Sequence, residues 1–142
     1  AVAWGLAALV LLVALVASNL WWWLRSGSPA VGPAGMQVVA MTGTERAPNA
    51  TGTLLITTDG EYGTLIVDGM PALAPGLGYQ LWLIRDGQRT NGGVFAVNDE
   101  GYGVLEIFSP EPLGSYSAFG VTIEPEGGSP GPTGDKVLDG SL

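Results

Sequence analysis

The chain has 142 residues and a formal net charge of −8, from 5 Lys and Arg against 13 Asp and Glu, and it contains neither Cys nor His. Without those two residue types it can build no disulfide framework, no thiolate zinc site and no Cys–His or Ser–His–Asp constellation. The acid excess opposes a nucleic-acid partner, whose phosphates it would repel.

From Ala1 to Leu24 the sequence AVAWGLAALVLLVALVASNLWWWL carries no charge. As a helix this run spans about 36 Å at roughly 1.5 Å per residue, enough for a hydrocarbon core about 30 Å thick. It is longer than the apolar stretch of a signal peptide and lacks a basic leader. It is apolar all round, which a surface helix of a β-rich domain would not be. Residues 1–25 are therefore expected to form one N-terminal transmembrane α-helix, with the lipid bilayer as its partner. Trp21, Trp22, Trp23 and Arg25 mark its membrane interface, because indole rings settle at headgroup level and a charge ends the span. Ser18 and Asn19 are polar residues late in the run. Either they lie where headgroup water reaches them, or they compete for backbone hydrogen bonds and weaken the helix, which makes them a candidate intramembrane cleavage region. The run opens on Ala, not Met, so a further segment is expected before Ala1.

Residues 26–35, SGSPAVGPAG, are uncharged Gly, Ser, Pro, Ala and Val, the composition of a flexible, partly extended linker. All basic residues but Arg25 and all 13 acids fall after it. An acidic flank poor in Lys suits the non-cytoplasmic side of a membrane.

From Met36 onward short apolar runs alternate with turn signals. QVVAMTG comes first, then TLLITTDG, TLIVDG, YQLWLIRDG, GGVFAVNDEG, YGVLEIF and SAFGVTIEPEGG. Asp-Gly pairs at 59–60, 68–69 and 86–87 are hairpin chemistry. About seven strands on this spacing predict an all-β domain over residues 36–142, a single β-sandwich. Alternation places Tyr79, Leu81 and Leu83 on one face and Gln80, Trp82 and Ile84 on the other. That strand is apolar on both faces and reads as central, with Trp82 expected between the sheets. Phe119, Val121 and Ile123 share a face, as do Leu54 with Ile56 and Leu65 with Val67. MPALAPGLG at 70–78 is too irregular for a strand. Val137 and Leu138 could dock as a short last strand.

Reactive groups are sparse. Glu124 and Glu126 flank Pro125, and a general acid and base could be drawn from such a pair. Pro125 and the Gly127-Gly128 turn argue instead for solvated acids at a strand end. Asn98, Asp99 and Glu100 offer oxygens but lack the spaced ligand series of a calcium loop, so a hairpin turn is expected there. Asn49-Ala50-Thr51 matches a glycosylation pattern too short to carry weight. No phosphate-binding glycine loop occurs. No enzyme activity and no cofactor are expected.

Three stretches, MPALAPGLGYQLWLIRDGQ at 70–88, GGVFAVNDEGYG at 92–103 and FGVTIEPEGGSPGPTGDKVLDG at 119–140, resemble the C-terminal domain of the anti-sigma-K factor family. In that family a Leu-Pro-x-Leu-Pro segment precedes Tyr-Gln-Leu-Trp-Leu, and Val-Thr-x-Glu-Pro-x-Gly-Gly-Ser leads to Pro-Thr-x-x-x-Val-Leu-x-Gly. Here Met70 replaces the first Leu, and Ala74 stands where the second Pro would fall, with Pro75 one place later. The resemblance implies a single-pass anti-sigma factor of the bacterial cell membrane with its β domain on the extracytoplasmic side. A cytoplasmic N-terminal segment would hold an extracytoplasmic-function sigma factor inactive. Regulated proteolysis, first outside and then within the span, would release it. No sigma-binding segment is present among these residues, so the chain would supply the anchor and the outer domain. Its partners would be the sigma factor through that missing segment, and the proteases. A single-span accessory subunit of a larger membrane complex, using the same β domain for protein contacts, is the alternative.

Overall fold

The Asp86-Gly87 pair shows how local sequence sets this fold. Both residues have positive φ, 51° and 75°, the backbone of a two-residue hairpin turn whose twist matches its flanking strands. It joins β4 (Leu77–Arg85) to β5 (Gln88–Phe95), with Arg85 opposite Gln88. The computed structural model describes residues 35–142. The expected transmembrane helix with Trp21, Trp22, Trp23 and Arg25, the Ser18–Asn19 region and linker residues 26–34 lie outside the described residues. Among the described residues no helix is long and apolar enough to cross a membrane.

The remaining strands are β1 (Met36–Gly43), β2 (Thr51–Thr57), β3 (Gly63–Asp68), β6 (Gly103–Glu106), β7 (Ala118–Pro125) and β8 (Lys136–Ser141). A single 3-10 turn, Leu113–Ser115, is the helical content among the described residues. The all-β expectation holds, with eight strands where about seven were read. The difference is the Val137–Leu138 segment, which forms a full strand against β7.

Two separate sheets do not form. All eight strands belong to one antiparallel sheet in the order β5-β4-β7-β8-β1-β2-β3-β6. The expected sandwich is corrected by β8, which pairs with β7 on one side and with β1 on the other, through Thr42 opposite Asp139 and Gly43 opposite Leu138. That two-residue bridge joins the β5-β4-β7-β8 part of the sheet to the β1-β2-β3-β6 part. Strand twist brings the two ends of a long sheet round towards each other. Here the N–H of Phe108, just past β6, donates to the carbonyl of Gly92 in β5 at 3.1 Å. The sheet is a nearly closed barrel.

Its interior takes alternate residues from every wall. Val39, Met41, Leu54, Ile56, Leu65 and Val67 come from one half, and Tyr79, Leu81, Leu83, Phe119, Val121 and Leu138 from the other. Each such aliphatic or aromatic side chain contributes about 1.5–3 kcal/mol by leaving water. The faces read from the sequence for β2, β3, β4 and β7 are the faces that meet inside. Arg85 at the end of β4 pairs with Glu111 at 2.6 Å and lies over the Tyr116 ring, 5.3 Å from its centroid. This fastens the β6–β7 connection.

Candidate functional site

The strand β4 is buried on both faces, and the reason lies outside the barrel. Tyr79, Leu81 and Leu83 fill the interior, so Gln80 and Trp82 must point outward, yet both are buried, at 0% and 1% exposure. The connection from Glu126 to Asp135 lies across them. Trp82 is thus not between two sheets, as expected, but beneath this loop on the outer face of β4 and β7.

The loop is held by side chains that alternation puts on the same outer face. Gln80 exchanges two hydrogen bonds with Ser129. Its Nε2 donates to the Ser129 carbonyl at 3.0 Å, and the Ser129 N–H donates back to Oε1 at 2.8 Å. The indole Nε1–H of Trp82 donates to Thr122 Oγ1 at 2.8 Å, and that hydroxyl donates to Glu124 Oε1 at 2.6 Å. Glu124 closes the network. Oε1 also accepts the N–H groups of Thr133 at 2.8 Å and Gly134 at 3.2 Å, while Oε2 accepts the Thr133 hydroxyl. Gly134 has to be glycine, because a Cβ there would sit 1.7 Å from the Ile123 carbonyl oxygen.

Burial alone would push the Glu124 carboxyl up. The hydrogen bonds from Thr122 and Thr133 more than offset that and hold it at about 2. It is therefore an anion at neutral pH, fully engaged by donors. The reading of Glu124 and Glu126 as solvated acids holds for exposed Glu126 only. Glu124 is 1% exposed. An acid-base pair is not assembled, because every Glu124 oxygen is spent on the loop.

A second clasp starts from Tyr79, on the interior face of β4. The Tyr79 hydroxyl donates to the Pro71 carbonyl, and its ring stacks on Phe95 at 5.7 Å between centroids. Burial drives the Tyr79 phenol up to about 12. Met70 is buried where its N–H reaches the Gly101 carbonyl at 3.1 Å. The irregular 70–76 segment is thereby pinned to the barrel. A turn forms at 98–101, but it closes no hairpin, because β5 and β6 stand at opposite ends of the strand order and β6 pairs with β3. Asn98 Oδ1 accepts the N–H groups of Glu100 at 3.0 Å and Tyr102 at 2.9 Å.

Where the loop leaves Trp82, a cleft of about 360 Å³ opens, lined by Trp82, Ile84, Gly120, Thr122, Pro132 and Gly134, with Arg89 and Lys136 also on its walls. Among the described residues, the opposite outer face, on β1, β2, β3 and β6, has no such cover. Val38, Leu55, Ile66 and Val104 are exposed or half-exposed there. The lock residues Gln80, Thr122, Ser129 and Thr133 were not singled out in the sequence. A Gln inside Tyr-Gln-Leu-Trp-Leu was the available signal, since an uncharged polar residue in an apolar strand needs a partner.

The stretches that carry the family resemblance are the ones that make these two clasps. No curated protein and no solved structure matches this chain. The family described as Anti-sigma-K factor rskA, C-terminal, matches residues 3–136. That is nearly the whole sequence, and the chain belongs to this family of regulatory anti-sigma factors.

Proposed function

We propose that this chain is the membrane anchor and outer domain of an anti-sigma factor that controls an extracytoplasmic-function sigma factor through regulated proteolysis. The observation that carries the reading is the extent of the family match. It starts at residue 3 and so takes in almost all of the charge-free run as well as the β domain. In this reading residues 1–25 cross the cell membrane once, Trp21, Trp22, Trp23 and Arg25 sit at its outer interface, and the barrel lies on the extracytoplasmic side. The sigma factor is bound by a cytoplasmic segment other than these residues. The two clasps support a rigid outer domain that resists cutting, which leaves the small uncharged residues of 26–35 as the first cleavage region. The second cut falls near Ser18 and Asn19, whose side chains lower the cost of unwinding the helix.

The test is the double change Ser18→Leu, Asn19→Leu in cells that carry the form already lacking the outer domain. Insertion is retained and release of the soluble cytoplasmic part slows. Unchanged release removes the role given to those two residues. Complete absence of a cytoplasmic fragment from the unmodified protein removes the proteolytic reading altogether. The second reading, an accessory subunit of a membrane complex, then takes its place. It is favoured by the apolar face with Val38, Leu55, Ile66 and Val104, which nothing among the described residues covers.

A further inference from the structure

Positive charge is scarce in this domain and unevenly committed. Of the 5 basic residues in the chain, Arg25 lies outside the described residues. Arg46 is held by Asp135 at 3.1 Å and Arg85 by Glu111 at 2.6 Å. The other two, Arg89 and Lys136, line the same cleft beside Trp82; no carboxylate is among its lining residues, and Asp139 stands next to it, opposite Gly120 on β8. Among the described residues Arg89 has no carboxylate within 4.0 Å, and residues 1–34 contain no Asp or Glu. Lys136 touches Asp139 at 3.3 Å in a pair with both side chains about half exposed. Such a pair holds its partners by about 1 kcal/mol or less, so the ammonium is free to turn to a better anion.

The register places these groups on one outer patch, with Arg89 on β5 and Lys136 on β8 at either side of β4 and β7. Ile84 of β4 stands opposite Arg89 of β5, Trp82 opposite Gly120 of β7, and Thr122 opposite Lys136 of β8. All lie on the outer face. Gly120 supplies the room. It carries no side chain there, and a Cβ placed on it would make ordinary contacts with Lys136 Cε at 3.5 Å and Ile84 Cδ1 at 3.9 Å. Ile84 and Pro132 add apolar wall. The Thr122 hydroxyl is not available to a ligand, since it already accepts from Trp82 and donates to Glu124. A volume of about 360 Å³ lies within the range of small-molecule sites, which combine an apolar body with a few convergent polar groups.

We propose that this cleft binds a small organic anion with an apolar body, an aromatic carboxylate being the type. Its ring packs over Gly120 between Ile84 and Pro132, and its carboxylate is taken by Arg89 and Lys136. A planar guanidinium suits a carboxylate in two-point contact, and the ammonium adds a point charge. Because Pro132 and Gly134 belong to the locked loop, the ligand bears directly on that loop. The inference concerns the outer domain alone and does not depend on the anti-sigma reading.

The test uses the full 142-residue chain, ¹⁵N-labelled, in an uncharged maltoside detergent, with 4-hydroxybenzoate as probe. The Trp82 indole N–H and Gly120 amide signals are followed by NMR, the former assigned through Trp82→Phe. Both shift saturably as the probe is added. The uncharged analogue 4-hydroxybenzamide binds about tenfold more weakly or less, as does 4-hydroxybenzoate to Arg89→Gln, a surface change that leaves the remaining spectrum in place. Gly120→Leu fills the space and removes the response. The proposal is overturned by no saturable shift of those two signals up to about 20 mM probe. Equal binding of acid and amide, or undiminished binding to Arg89→Gln, overturns it as well.

Discussion

Replacing Glu124 by Gln keeps the shape of the side chain and removes its charge. In the native protein one oxygen takes the Thr122 hydroxyl and the N–H groups of Thr133 and Gly134, and the other takes the Thr133 hydroxyl. An amide offers one acceptor and sets its NH₂ against one of those donors. The gap between an ordinary carboxyl value of 4.5 and the native value of about 2 corresponds to about 3 kcal/mol of folding stability. The sign follows from the lowered value. The contribution is complete above the unfolded value near 4.5 and is lost as pH falls from there towards 2. Urea unfolding of residues 36–142, followed by far-UV circular dichroism, is expected to show Glu124→Gln about 3 kcal/mol less stable at pH 7. The difference narrows to about 0.5 kcal/mol at pH 2, where the native carboxylate is half protonated. Equal stability at pH 7 would refute the reasoning. So would a difference that persists undiminished at pH 2, because the loss would then be one of packing and not of charge.

Residues 36–142 by themselves are expected to give a β-type dichroism spectrum and one cooperative thermal transition, since among the described residues the core is built from positions 39–138. A spectrum without a transition would show that the barrel needs the preceding segment. Trp82→Ala should cost roughly 3–5 kcal/mol in the same urea assay, and Trp82→Phe about 1 kcal/mol, because Thr122 loses only its indole donor. A loss for Trp82→Ala below about 1 kcal/mol would mean that the loop is not packed on the indole. Gly134→Ala cannot be accommodated with its Cβ 1.7 Å from the Ile123 carbonyl oxygen. It is expected to release the 126–135 loop, seen as rapid amide exchange at Thr133 and as early cleavage there by added protease. Native-like protection at Thr133 would show that the loop shifts to fit.

The element order of this protein was legible in its sequence for a local reason. Period-two alternation and Asp-Gly or Asn-rich turns are properties of short segments, and each stands where a strand or turn stands, from Met36 to the turn at 98–101. Interior faces were legible where Thr53, Thr64, Gln80 and Thr122 alternate with Leu54, Leu65, Leu81 and Val121, although Leu55, Ile66 and Trp82 make the opposite faces partly apolar too. Likewise the uncharged run at 1–24 needs no tertiary structure to be noticed. Other features depend on which strands become neighbours. Whether two sheets or one closing sheet forms was decided by the two residue pairs between β1 and β8, a contact between chain segments nearly a hundred residues apart. The burial of Trp82 and Glu124 was decided the same way. Their alternation put them on the outer face, where an isolated strand would leave them in water. Only the return of the 126–135 loop, with its Thr133 and Gly134 donors aimed at one carboxylate, took that water away. A carboxylate in Ile-Glu-Pro-Glu reads as exposed because local sequence records no donors for it. Tertiary structure brings those donors, and with them the buried charge, the lock and the cleft beside it.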